Sequence, residues 1–284
     1  MTKKKNSLDA YYRSLKKIMV LIITLVSFAP MILLGGLILF QFHGSYHEKT
    51  HAHLAELVLK HKQNIDRFLM EKLGDIRVLG KTFNIQVAYA GPFKLGKALY
   101  SSAEWFHEAM QRDYFISDVF LGLRGLPHFI ITVRDNWNGE PWILRATIDF
   151  AAFNNLVENI RIGETGFAFI LNKKGEFQTK PRMDIGLSNG PYIDFLKSES
   201  KTDKGIRIAN MTDDSGRENI YVAAFVKERD WLLVYQQRAA DAFSDLNRAM
   251  ELALIIFIIS GVAIILVAAL LSGRMVSRIS RADK

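Results

Sequence analysis

The chain has 284 residues, 49% of them hydrophobic, a formal net charge of +8 and no cysteine. With no thiol, a disulfide scaffold, a Cys-ligated metal and a Cys nucleophile are all excluded. A basic balance ordinarily points to nucleic acid, but here ten basic and two acidic residues lie in the first 17 and last twelve positions, giving +5 and +3 and leaving 27 of each sign between them. The middle is neutral, and no nucleic-acid partner is expected.

The basic tail of residues 1–17 leads into Ile18–Phe42, 25 residues without one ionisable side chain. At about 1.5 Å per residue this exceeds the roughly 30 Å hydrocarbon thickness of a bilayer, and Pro30 and Gly35-Gly36 are tolerated in such helices. The run is longer than the core of a signal peptide, and no small-x-small site follows it, so it reads as an uncleaved anchor. Leu252–Ser272 is a second uncharged run of 21 residues. Both flanking ends are basic, which places both termini in the cytoplasm and residues 43–251 outside it. The expected location is a bacterial inner membrane crossed twice, with a periplasmic central domain.

From His43 to Thr82 apolar residues recur at three-and-four spacing (Leu54, Leu57, Val58, Ile65, Phe68, Leu69, Leu73, Ile76, Leu79), predicting an amphipathic helix. Its stripe serves either packing on its own domain or a seam with a second copy; a homodimer is expected. Ala90-Gly91-Pro92 breaks the pattern, and Lys94–Arg112 predicts a second helix. Short β-rich runs follow: Tyr114–Leu123, His128–Arg134, Trp142–Asp149, Gly166–Asn172, Glu176–Thr179, Gly205–Asn210, Glu218–Val226 and Trp231–Gln236. Turn chemistry at Asn136–Gly139, Lys173–Gly175 and Asp213–Gly216 separates them. Helices are predicted over Phe150–Ile160, with Asp149 as N-cap, and over Tyr192–Ser200. The fold class is α+β: two transmembrane helices flanking a long stalk helix and antiparallel sheets.

Pro127–Arg134, Asn138–Asp149 and Phe153–Gly163 resemble the strand–turn–strand and exit helix of the membrane-distal module of double Cache (PAS-like) sensor domains. Gly163–Gly175 with Pro181 is similar to the opening hairpin of the membrane-proximal module, and Asp213–Gln237 to its closing hairpin. The resemblance covers about residues 43–284 and is nearest to the sensory portion of bacterial two-component sensor histidine kinases, with chemoreceptors and diguanylate cyclases as siblings. It implies a small-molecule ligand, such as an amino acid or carboxylate, no cofactor, and a signal passed through the second membrane helix into a cytoplasmic kinase or response-regulator pathway. The organisation it implies is a basic tail (1–17), first span (18–42), helical stalk (43–112), distal module (113–162), proximal module (163–237), linker (238–251), second span (252–272) and the start of a relay helix (273–284). No phospho-accepting His segment or nucleotide-binding glycine box follows the second span, so the expectation is a sensor that is not itself an enzyme, its catalytic half lying elsewhere. A periplasmic stalk that binds another protein is the alternative.

Candidate ligand residues are Trp142, Arg145 and Asp149. Period-two alternation puts Trp142 on one face of its strand and Arg145 and Asp149 on the other. A guanidinium clamps a carboxylate while a carboxylate takes an ammonium, the pair an amino acid needs; the plain alternative is an exposed Arg, a capping Asp and a core Trp. Arg124, Arg134, Tyr114 and Asp118 form a second tier. The family's amino-acid pattern of an Arg and aromatics with a later Tyr and Asp is only partly met. His43, His47 and His51 share a helix face, where imidazoles can hold a metal or report pH, as can membrane-interface aromatics with no such role. Asp213–Gly216 lacks calcium-loop spacing and reads as a hairpin turn, the Gly122 and Gly163 pairs lack a phosphate-loop Lys-Ser/Thr, and no catalytic constellation assembles.

Overall fold

The computed structural model describes residues 2–82, 103–122, 125–137, 139–182, 205–213 and 215–282. The breaker at Ala90–Pro92 and the helix expected over Tyr192–Ser200 lie outside them. The chain divides into two compact units, Met1–Thr50 with Phe243–Lys284, and His51–Ala242.

In the first unit, the opening of helix α1 (Thr2–Thr82) packs against helix α5 (Ser244–Ala282). Small residues bring the two helices together. Gly261 is one: a Cβ there would lie 2.8 Å from Cζ of Phe28, whose ring meets Phe257 edge-on at 6.2 Å. Ala268 and Ser272 are fully buried. The remaining faces carry Leu21, Leu33, Ile256 and Ile259, all more than 60% exposed. A continuous apolar surface of that kind suits hydrocarbon and not water. Both helices are long and apolar enough to cross a membrane.

In the second unit α1 continues as the core helix. Leu54, Val58, Ile65, Leu69, Leu73 and Ile76 are each no more than 4% exposed, a single stripe buried against the unit's own sheets. Helix α2 (Glu104–Gln111) precedes a sheet in which β3 (Pro127–Trp137) is central. Strands β1 (Tyr114–Ile116) and β2 (Phe120–Leu121) both pair with one side of β3, and β4 (Glu140–Asp149) with the other, all antiparallel. The expected Tyr114–Leu123 strand is thus split. At Ser117 the hydroxyl accepts from Ile130 N at 3.0 Å, and Ser117 N donates to Ile130 O at 3.0 Å, so the side chain takes over part of the ladder and the strand bends away. Helix α3 (Phe150–Glu158) follows β4 directly; Asp149 caps it, Oδ1 accepting from Ala151 N at 2.9 Å.

The second sheet has the antiparallel order β5-β8-β7-β6, formed by Phe167–Asn172, Trp231–Arg238, Glu218–Val226 and Ile206–Thr212. Its central strands are buried on both faces, hence their nearly unbroken apolar runs. One face carries Phe167, Phe169, Leu171, Tyr221, Ala223 and Val234; the other places Tyr235 against α1, where its hydroxyl donates to Leu57 O at 3.3 Å. The Asp213 turn joins β6 to β7, its carboxylate accepting from Ser215 N and Arg217 N at 2.9 Å each. Glu176–Thr179, expected as a strand, makes one bridge, Phe177 to Leu171. Beyond it the Thr179 hydroxyl accepts from Ile170 N at 2.9 Å, standing where a neighbouring strand would offer a carbonyl. After β8 the chain is helical at once, as α4 (Ala239–Ala242) and then α5.

Candidate functional site

Cross-strand partners share a face, so the register sorts the first sheet. Arg145 pairs with Thr132, Thr132 with Phe115, Arg134 with Ile143 and Thr147 with Ile130; these residues point to one side. Trp142, Leu144, Ala146, Ile131 and Phe129 point to the other. Helix α1 lies on the second side: an ideal Cβ at Gly80 would sit 3.6 Å from Leu144 and 3.8 Å from Trp142, and Phe129 packs edge-on against Phe153 and Trp231. That face is core.

Helix α2 lies on the first side. The Arg145 guanidinium stands 4.9 Å over the Trp105 ring, and Arg134 Nη1 donates to Met110 O at 2.9 Å. Arg134 also lies 3.7 Å from Asp113. A half-buried guanidinium lies on an indole face beside the buried Thr132, held flat by cation–π attraction, and a guanidinium is the side chain that pairs best with a carboxylate. Helix α2 gives this face a cover, so a bound group there is removed from bulk water and its charge counts for more.

The seven candidates therefore disperse. Arg145 faces α2, and Arg134 shares that face as an anchor for α2. Trp142 faces α1. Asp149 is on the Arg145 face in register but is the cap of α3, so the predicted Arg–Asp clamp is divided between a sheet face and a helix start. Arg124 lies outside the described residues. Tyr114 and Asp118 turn toward the second sheet. The Tyr114 hydroxyl donates to the Glu228 carboxylate, which raises its pKa, and Arg77 lies 5.2 Å over its ring.

Asp118 is the centre of a second polar cluster. Its carboxylate accepts from Trp231 Nε1 at 2.7 Å, Asn172 Nδ2 at 2.9 Å and Lys227 Nζ at 3.2 Å. Burial works against the charge, but Lys227 and the Trp231 and Asn172 donors outweigh it and hold the pKa below the ordinary carboxylate value. Lys227 is 7% exposed, its pKa depressed by burial and partly restored by Asp118. It opens a 3-10 turn, Lys227–Arg229, in which all three residues have positive φ (49, 53 and 75°). Lys227 N donates to Asp66 Oδ1 on α1 at 3.0 Å, and its ammonium lies 4.3 Å over the Trp231 ring. One strained turn thus bonds α1, the β1–β2 connection and both ends of its own hairpin. Sequence reading missed Lys227 because four successive charges between two strands read as a solvated turn. It missed Trp105 because nothing local sets that residue against a strand forty positions on.

A third cluster joins the start of β5 to α4. Asp241 Oδ2 accepts from Glu164 N, Thr165 N, Thr165 Oγ1 and Gln237 Nε2, at 3.1, 2.9, 2.8 and 3.0 Å. Burial opposes the charge, but these donors prevail and hold the carboxyl below its ordinary value. Among the expected histidines, the His43 and His47 rings lie 4.5 Å apart and His47 lies 3.9 Å from the Phe243 ring. Among the described residues no three His, Cys, Asp or Glu side chains gather as a metal site.

No family model matches the chain, and no curated protein matches it. Solved structures do. The ligand-binding domain of the Pseudomonas fluorescens chemoreceptor CtaA, solved with L-isoleucine, is 13% identical with a TM-score of 0.52, covering 72% of this chain and 99% of that one. The sensory domain of the Campylobacter jejuni chemoreceptor Tlp3, with isoleucine bound, is 13% identical with a TM-score of 0.53, covering 70% and 96%. The extracellular domain soHK1S-Z6, assigned to a histidine kinase, is 10% identical with a TM-score of 0.50, covering 72% and 99%. The chain has the fold of the double Cache-type extracellular sensor domains found in chemoreceptors and histidine kinases.

Proposed function

We infer that the chain is a membrane-anchored extracytoplasmic sensor that binds a small carboxylate-bearing molecule, an amino acid or a related acid, on the α2 face of the first sheet. The observation that carries this reading is Arg145, laid on the Trp105 ring under α2 in a fold shared with ligand-binding sensor domains. Arg145 fixes the carboxylate; Trp105 and Thr132 line the same face. Both termini are cytoplasmic, and the bacterial inner membrane is crossed by Ile18–Phe42 and Leu252–Ser272. Two copies associate.

The signal leaves through β8. The strand runs into α4 and α5 without an extended linker, and Asp241 clamps that exit to the start of β5. A ligand biases two arrangements of this exit by its differential affinity for them, and the receiver is a cytoplasmic histidine kinase. A chemoreceptor output is the second reading, favoured by the chemoreceptor neighbours.

A thermal-shift screen of the full chain against amino acids, other carboxylates and amines tests the reading. A ligand at 100 times its Kd stabilises the folded state by about 2.7 kcal/mol. Carboxylate-bearing compounds raise the midpoint and simple amines do not. A folded chain that responds to none of them contradicts small-molecule sensing.

A further inference from the structure

The first unit carries a groove of about 810 Å³ that the sensing function does not use. It is lined by Leu21, Thr24 and Phe28 of α1 and closed on one side by Ile265 of α5, with Lys16 and Lys17 at its end. The lining below the lysines is almost wholly apolar, and the volume is within the roughly 300–1,000 Å³ of small-molecule sites. Lys17 to Ile32, the span of the lining on α1, is fifteen residues, about 22 Å of helix, against the ~30 Å of the hydrocarbon core. The groove therefore runs from the membrane surface past its midplane, long enough for one acyl chain. Phe28 lines its deeper part, its ring seated on Gly261, and Ala29 and Ile32 carry the lining one turn further.

The lysines decide what fills it. Both are exposed, and the Lys16 ammonium lies across the seam between the helices, 3.5 Å from where a Cβ of Gly273 would be. Cations at headgroup depth above an apolar channel match an anionic headgroup with its chain below. A second copy of the chain fits poorly. In a two-fold contact the same patch meets itself, and four ammonium groups would converge at one membrane depth with no carboxylate among the groove residues.

We propose that this groove is a binding site for one anionic phospholipid, its phosphate held by Lys16 and Lys17 and one acyl chain lying along Leu21 to Ile32. The site takes its membrane placement from the reading above but does not depend on sensing. The test is native mass spectrometry of the full chain, released from detergent with equimolar phosphatidylglycerol and phosphatidylcholine of identical chains. Phosphatidylglycerol adducts exceed phosphatidylcholine adducts by about thirtyfold, as two lysines at a charged surface supply. The double variant K16Q/K17Q brings the ratio close to one, and Leu21→Trp, which fills the groove while keeping both lysines, lowers total bound lipid several-fold. Equal retention of the two lipids by the unaltered chain overturns the proposal, as does a preference untouched by either change. A Leu25→Cys variant of this cysteine-free chain adds a check: complete disulfide dimerisation in membranes would put a second copy in the groove and overturn it too. If alkaline extraction releases the chain from membranes, the membrane reading falls with it, whereas a chain retained without lipid preference sinks this site alone.

Discussion

Trp231 donates its indole N–H to the Asp118 carboxylate at 2.7 Å, joining the first residue of β8 to the connection between β1 and β2. Lys227 adds a charge to the same carboxylate from within a left-handed turn. Three non-glycine residues with positive φ are costly, and the bonds from this turn to Asp66 and Asp118 hold it in place. The two sheets are therefore linked by a paired charge whose lysine is buried and whose aspartate is half exposed.

Removing Asp118 leaves Lys227 buried without its counter-ion. Breaking a fully buried pair costs roughly 3–5 kcal/mol; Asp118 is 45% exposed, which brings the expected loss for Asp118→Ala to about 2 kcal/mol. Lys227→Met keeps the apolar stem on Trp231 and removes the charge that burial disfavours, so it costs less than Asp118→Ala. Chemical unfolding followed by tryptophan fluorescence ranks the two. The pH dependence has a fixed sign. The folded pKa of Asp118 lies below the unfolded 3.8, so its contribution is complete above that value and is lost as the pH falls through the folded one. In Asp118→Asn this acid-side loss disappears.

Gly163 has φ of 58°, and a Cβ there would lie 2.5 Å from Gln237 Nε2 and 2.7 Å from Asp241 Oδ2. Gly163→Ala meets both backbone strain and the side chains of the β8 exit, and is expected to cost about 1–2 kcal/mol. Asp241→Ala strips acceptors from two backbone N–H groups at a similar cost, roughly 1–2 kcal/mol. If the Asp241 clamp transmits the signal, Asp241→Ala weakens ligand-dependent output while ligand binding is retained. A Gly-rich insertion after Gln237 abolishes that output. Output measured through a fused kinase reporter, undiminished in both, would remove this junction from the mechanism.

His61 faces the Tyr235 ring at 6.0 Å on the inner side of α1. Burial, helped by Lys60, lowers its pKa from 6.5. The unfolded chain takes up this proton first, so stability is full above about pH 6.5 and declines as the pH falls through the folded value. His61→Gln flattens the slope of unfolding free energy over that window. An unchanged slope would assign the dependence to another group.

Features that depend on neighbours in sequence were legible and features that depend on distant chain were not. The Asp149 cap needs only Ala151, two residues on, and the opposition of Trp142 to Arg145 needs only the two-residue period of a strand. The α1 stripe and the two apolar runs are likewise local patterns. Lys227 is otherwise: its partners Asp66 and Asp118 are 161 and 109 positions away, and a charged hairpin turn gives no sign of burial. Asp118 was read as a ligand candidate from its strand, yet three protein donors meet its carboxylate. Glu176–Thr179 has strand composition, but the Thr179 hydroxyl takes a ladder position and ends the pairing.

The central claim is that Arg145, under α2, fixes the carboxylate of a small ligand. The measurement is the unfolding midpoint of the full chain and of Arg145→Gln, each with and without the carboxylate compound that shifts the unaltered chain most. Arg145→Gln keeps an uncharged, similar stem, and its unliganded midpoint stays within a few degrees. The account predicts that the ligand raises the midpoint of the unaltered chain and leaves that of Arg145→Gln in place, a loss of at least tenfold in affinity for one charge-assisted contact worth about 1.5–3 kcal/mol. A full ligand shift retained in Arg145→Gln would contradict it.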